Sequence, residues 1–378
     1  MPSSPRGPSA RTSDTPPPDA RLADHLSRVP DPRRARGKRY CLSGLLLVAV
    51  SAAMAGCRGL AAIGEWAARL TDEDLDGFGL RAAPGESTLR KLFARIDAAA
   101  MDGELCLYTW TRTVVVEGRR VIAVDGKTLR GSRSTTQRAR HLVAGLDHST
   151  GTVIAQQAVE AKSNEIPALP AMIAALGSRV EGAVITADAL HTQTASATAI
   201  LAAGADYVFT VKSNQPTLLK KLAGQPWTKV PTGHVEVEKS HGRRTRRTLK
   251  VLQAPQDLGF PGASQIAQLR RASARDGKKA VEVVYLITSA ALPQASPDRI
   301  AAWIRGHWGV ENRLHQVRDV TFDEDRSQIR TGQGPHVMAS LRNLAISIHR
   351  LTGATNIARA TRQAAWDPPA TCTLLLTL

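Results

Sequence analysis

Two hydrophobic rhythms divide this chain. Up to about residue 110 the apolar positions recur at helical spacing. Arg21–Val29 predicts a short helix that Pro30-Asp31-Pro32 breaks, and Leu42–Ala55 and Leu60–Leu70 predict two more, with Gly56 and Gly59 in the connection. Ser87-Thr88 reads as a helix start. After it Leu89, Leu92, Phe93 and Ile96 fall on one face, while Arg90, Lys91 and Arg95 fall on another. From about residue 112 short β-type runs take over. Thr113–Val116 and Arg120–Val124 are strand-like, and His141–Leu146 and Thr152–Ala158 are joined by the turn 147–151. A helix over Asn164–Leu176, a strand over Gly182–Ala187, a helix over Thr192–Ala203 and a strand over Asp206–Val211 follow. Residues 227–295 carry four further strand candidates, including Thr248–Gln253 and Val281–Ser289. Ala301–Val320 then returns to helix. The stretch after Gly334-Pro335 is helical too, with Val337, Leu341, Leu344 and Ile348 on one stripe.

Three antiparallel strands followed by helix–strand–helix–strand is the order of a ribonuclease H-like α/β core. The expected organisation is a disordered tail (1–20), a small all-α N-terminal domain (21–110), the α/β core (111–352) with a β-rich insertion (227–295), and a C-terminal tail (353–378). The tail is rich in Pro, Ser and Arg and poor in apolar residues, so it cannot bury enough surface to order itself. Leu42–Gly56 follows a basic run and resembles a signal peptide. About 40 residues precede it, however, and it is shorter than the roughly 20 residues that span a bilayer. It reads as a buried helix, and no membrane partner is expected.

Charge narrows the function. There are 50 Lys and Arg against 33 Asp and Glu, a net charge of +17. Such an excess calls for a polyanionic partner, most often nucleic acid. The basic run Arg33, Arg34, Arg36, Lys38 and Arg39 is a candidate contact in the helical domain. Cys41, Cys57, Cys106 and Cys372 are scattered and form no metal-binding spacing. They read as reduced, structural thiols, and the expected location is cytoplasmic.

The chemistry gathers around AVDGKTLRGS. An apolar strand ends on Asp125, Gly126 permits a turn, and Lys127 and Arg130 stand nearby. A second strand ends on Asp188. In WIRGHWGVENRLHQVRDV, Glu311 shares a helical stripe with His307, His315 and Arg318, beside an apolar stripe of Val310, Leu314 and Val317. Three carboxylates from separate elements suit two hard cations roughly 3.5–4 Å apart, which clamp both sides of a phosphodiester. Without metal such acids repel, so the site is expected to be loose or raised in pKa. Each acid also has a plain structural explanation. Asp125 can cap a turn, Asp188 can cap a helix, and Glu311 can pair with Arg318 or Arg305. Asp319, Asp323, Glu324 and Asp325 compete for the third position.

Taken together, the motifs VPDPRRARGKRY, IGEWA, STLRKLFARID, AVDGKTLRGS, KSNEIPALP, TADALHTQ, YVFTVKSNQP, HWGVENRLH and DVTFDEDRSQIRTG resemble the H-repeat-associated (ISAs-type) DDE transposases of insertion sequences. The likeness runs from about residue 21 to about 352. It implies a ribonuclease H-like fold with a β-rich insertion before the glutamate. It implies Asp125, Asp188 and Glu311 as catalytic and metal-binding residues, with two Mg²⁺ ions and Mn²⁺ as a substitute. The implied reaction is hydrolytic nicking at transposon ends, then attack of the 3′-hydroxyl on target DNA, by a homodimer on paired ends. Lys127, Arg130, Lys212, Asn214, Arg243, Arg244, His315 and Arg318 are the expected DNA contacts, Arg318 standing seven residues after the glutamate where a broader related group has lysine. The alternative is a domesticated or decayed copy that binds DNA without cutting it.

Overall fold

A computed structural model describes residues 20–113, 115, 118–135, 137–159, 165–240, 242–275 and 278–378. The expected disordered tail lies outside these residues apart from Ala20, as do parts of the predicted strand 113–116 and the start of the KSNEIPALP motif.

Six helices come first: α1 (Leu22–Ser27), α2 (Leu42–Met54), α3 (Leu60–Ala67), α4 (Asp72–Gly77), α5 (Glu86–Phe93) and α6 (Ala98–Thr111). The expected α2 is confirmed. It is apolar all round and buried on every side, as a core helix should be. Among the described residues no helix is long and apolar enough to cross a membrane. The short α4 was not anticipated. It is set by Thr71 and Asp74, which cap each other's backbone N–H groups at 3.1 and 3.0 Å.

The sheet begins with β1 (Val121–Leu129), β2 (Arg140–Asp147) and β3 (Val153–Ala158), followed by α7 (Ala168–Leu176), β4 (Val184–Ala187), α8 (Thr194–Ala202), β5 (Asp206–Val211) and α9 (Pro216–Ala223). The insertion supplies β6 (His234–Ser240), β7 (Arg243–Gln253), β8 (Gln265–Arg275) and β9 (Lys278–Thr288). One nine-stranded sheet results, in the order β3-β2-β1-β4-β5-β9-β8-β7-β6. β1 pairs antiparallel with β2 and parallel with β4, and β4 pairs parallel with β5. The protein is thus a mixed α/β structure. The insertion is an extension of the main sheet rather than a separate β unit, because β9 pairs with β5.

The chain closes with α10 (Pro297–His307), a π-helical turn at Glu311–His315, α11 (Gln316–Val320), α12 (Gly334–Leu351), α13 (Ile357–Trp366) and α14 (Pro368–Thr377). Residues after 353 are therefore packed helices, with Cys372 and Leu375 buried against the N-terminal helices. Strand parity divides the core. Ile122 and Val124 face the side covered by α7, α8 and α9, whereas Ala123 faces a cluster built from α1–α6, α12 and the α10–α11 region. The N-terminal helices thus share one continuous core with the sheet and α12.

Candidate active site

Asp125 has the parity of Ala123, so its side chain emerges on the α12 side of the sheet. β1 and β4 pair with Val124 opposite Ala187. The next residues, Asp125 within β1 and Asp188 just after β4, therefore stand at the same level. Val310 and Leu314 anchor the late helix on that same side, as the predicted apolar stripe requires. This brings Glu311 over Asp125. Oxygen atoms of Asp125 and Glu311 and a ring nitrogen of His315 all lie within 4.8 Å of one another. His315 Nδ1 is 3.2 Å from Glu311 Oε2 and 3.6 Å from Asp125 Oδ2.

One expectation fails in detail. β1 does not end at Asp125 but runs on to Leu129, so Gly126 is a strand residue and not a turn. Its need for glycine is steric: a Cβ there would collide with the carboxylate of Glu165 and with His141 Nε2. Glu165 is a fourth acid at the site. Its Oε1 lies 2.7 Å from His141 Nε2, and its Oε2 lies 3.6 Å from His191 Nε2. Hydrogen bonding to these histidines holds Glu165 down at about 2. Sequence reasoning assigned it no role, although it stands inside KSNEIPALP. Its proximity to Asp125 depends on a strand-to-helix connection that no local pattern encodes.

The electrostatics match an under-compensated acid cluster. Burial raises Asp125 to about 6, partly offset by the Gly126 N–H donating to Oδ1 at 2.9 Å. The charges of Asp188, Glu165 and Glu311 push it further up. Asp188 also caps its own turn, because Oδ1 accepts the Leu190 N–H at 3.0 Å. The capping alternative for Asp188 therefore coexists with a place at the site. Burial lowers His315 to about 3 and His307 to about 4, so both rings are neutral at pH 7. His307 Nδ1 and His148 Nε2 meet Thr186 Oγ1 at 3.1 and 3.2 Å, directly below Asp188. Gly306 makes room for this, since a Cβ there would strike the His148 ring. Arg313 ties the glutamate's turn to the β2–β3 connection through His148 O and Thr150 O at 2.9 and 2.8 Å.

This donor set fits a hard divalent cation with one nitrogen ligand. Ligands at about 2.1 Å from an ion stand no more than ~4.2 Å apart. Asp125, Glu311 and His315 need only a small closure to reach that spacing. Asp188 stands outside this group of three, but its charge reaches Asp125.

The expected DNA contacts separate into classes. Arg318 is not a surface contact. It is buried, donating to Glu324 Oε2 at 2.8 Å and Asn343 Oδ1 at 3.3 Å, because it turns towards α12 and away from Glu311. His315 is 4 % exposed and faces the carboxylates, which makes it a member of the acid cluster rather than an outlying contact. Lys127 lies beside the site in a 2.7 Å ion pair with Asp319. Arg130 is exposed, 3.6 Å from Asp325. Lys212 is exposed, and Asn214 fastens the β5–α9 loop to the Asp188 turn by donating to Ala189 O at 2.6 Å. Arg243 and Arg244 lie far along the insertion, at the β6–β7 hairpin.

Comparison with known proteins decides the family. A family model described as "Transposase DDE domain" matches residues 117–348. The chain belongs to the DDE transposase family. A second model, described as "DDE_Tnp_1-associated", matches residues 23–111. Two curated Escherichia coli K12 proteins align over 87 % of this chain and 90 % of their own length: "Putative protein YbfL" at 32 % identity and "H repeat-associated putative transposase YhhI" at 31 %. The H-repeat resemblance is thereby borne out. Among solved structures, a piggyBac transposase synaptic complex with hairpin DNA aligns at a TM-score of 0.44 and 13 % identity, over 94 % of this chain and 78 % of that one.

Proposed function

We propose that this DDE transposase nicks DNA at the ends of an insertion sequence and joins the freed 3′-hydroxyl to target DNA, with Asp125, Asp188 and Glu311 as its catalytic acids. The observation that carries the reading is the convergence of three acids from β1, the end of β4 and the late helix on Asp125, where no Lys or Arg pairs with them among the described residues. The strand order β3-β2-β1-β4-β5, antiparallel then parallel, supports a ribonuclease H-like core, with the N-terminal helices as an all-α accessory unit.

Asp125, Glu311 and Asp188 would hold two Mg²⁺ ions, or Mn²⁺ in their place, with neutral His315 as a nitrogen ligand. The bound ions supply charge neutralisation and an activated oxygen nucleophile. The protein's own part is placement. Asp125 and Asp188 are set by parallel register, Glu311 by its anchored helix, and His307 and Thr186 brace the strand beneath Asp188. Lys127 and Asn214 stand close to the acids and, with Arg130 and Lys212, would position the DNA backbone; Arg243 and Arg244, on opposite faces of the insertion, would contact it farther out. Two ends must be cut together, which favours a homodimer.

The test is cleavage and strand transfer on end-bearing DNA with Mg²⁺, alongside calorimetric metal titration. Asp125→Asn, Asp188→Asn and Glu311→Gln should each abolish both reactions and weaken metal binding. An Asp125→Asn protein that retained strand transfer would sink the assignment.

A further inference from the structure

Strand alternation sorts the charges of the insertion onto opposite faces. Residues paired across β6–β9 share a face. All three strand glutamates, Glu236, Glu238 and Glu282, lie on one side. There Arg247 binds Glu238 at 3.0 Å, Arg271 binds Glu282 at 2.5 Å, and Arg305 of α10 binds Glu236 at 2.7 Å. Trp308 packs under Arg247 and Arg271 with ring centroid distances of 5.6 and 5.2 Å. Near the late helix that face is neutralised and covered, and its far end carries Arg243 and Lys278.

The other face is different. Its central strands present Arg244 and Arg246 on β7 and Arg270 on β8, with Lys239 and Lys279 at the far end. No acid lies on it among the described residues, and the three arginines are exposed without an ion pair. Val235, Val237, Val281 and Val283, 44–56 % exposed, flank them on the outer strands. Arg244 stands directly opposite Lys239, and like charges directly opposite destabilise a sheet, so this pair favours an anion that compensates it. Successive same-face side chains lie about 6.6–6.8 Å apart along a strand. The patch spans roughly 13 Å, along which a duplex carries about eight phosphates.

We propose that this arginine face of the insertion docks the phosphate backbone of duplex DNA. It continues the α7–α9 side of the sheet, opposite the side that carries Asp125, so it forms a contact surface separate from the acid cluster. The proposal rests on the reading of the chain as a DNA-acting enzyme, but it does not depend on the triad. Its valines sit at the margins and the cations at the centre, an order that suits a polyanion better than a second protein.

The test uses the full chain, a random-sequence duplex of about 40 base pairs and fluorescence anisotropy in EDTA across a salt series. The triple variant Arg244→Ala, Arg246→Ala, Arg270→Ala should bind at least 10-fold more weakly near 0.1 M salt. Its salt slope should fall by about 2–3, the loss of three phosphate contacts. The corresponding triple lysine variant should restore most of the slope, and neither variant should melt below wild type. Alanine-variant binding within twofold of wild type, with an unchanged slope, overturns the proposal. So does a wild-type dimer, seen by light scattering, that Val235→Ser with Val281→Ser dissociates while the slope stays fixed. A reduced slope in a protein that never cleaves keeps the face and removes the catalytic reading. Cleavage with an unchanged slope does the reverse.

Discussion

Two carboxylates thirteen residues apart on the late segment, Glu311 and Glu324, have opposite surroundings. Glu324 is buried between two arginines, with Arg318 Nη2 at 2.7 Å and Arg342 Nη1 at 2.8 Å. Their charges hold it below its usual range despite burial. From there the network passes through Asn343 and Gln156 to Asp102, which also accepts from His336 Nε2 at 2.6 Å. It joins α6, β3, α11 and α12 into one buried polar frame. Glu311 instead joins Asp125, with the charge of Asp188 reaching it; among the described residues no Lys or Arg pairs with these acids, and burial raises Asp125 to about 6. The frame is compensated. Among the described residues the cluster is left short of positive charge, which is the condition under which a cation binds. Arg318 looks like a site residue by its spacing, but the arginines serve the frame and are withheld from the cluster.

This contrast can be broken from either side. The largest stability effect is expected at Glu324. Glu324→Gln leaves two buried guanidinium groups without a counter-charge and should cost about 3–5 kcal/mol in denaturant unfolding. Next is Asp125. Its raised folded-state pKa means that its ionised form opposes folding, so stability should increase as pH falls from about 7 towards 4. Asp125→Asn should stabilise the metal-free protein by roughly 1–3 kcal/mol at pH 7, with the gain fading near pH 4, while it abolishes cleavage. A destabilised Asp125→Asn protein would place this acid in the structural class instead.

Glu165 stands between the two regions, paired with histidines while its charge reaches Asp125. Glu165→Gln should weaken metal binding or cleavage by about 10–100-fold while the melting temperature shifts little. A large melting shift with an intact metal titration would assign it to the frame. The smallest effect belongs to Arg130, exposed beside Asp325. Arg130→Ala should change stability by less than about 1 kcal/mol and lower the salt slope of DNA binding by about 0.9.

Much of the fold was legible because period and punctuation are local. The strand at Asp206–Val211 and the buried helix from Leu42 follow from apolar runs between Gly, Pro and polar breaks. The acids Asp125, Asp188 and Glu311 stood out because two follow apolar strand-like runs and the third stands on a polar helical stripe beside an apolar one. The insertion's strands were found, but their pairing onto β5 was not, since register between distant segments leaves no local mark. The alternation VEVE and RRTRR already contained the separation of charges, yet it became visible only once β6 to β9 were aligned.

The sequence by itself determined most of the helices and strands and the family, and it singled out three acids as candidates, because these depend on residue type and spacing along the chain. Only the tertiary structure decided that Gly126 yields space to Glu165, that His315 joins the acids, and that Arg318 is buried against Glu324. Charge compensation depends on distances between side chains far apart in sequence, and those distances exist only after the sheet and the late helix have packed together.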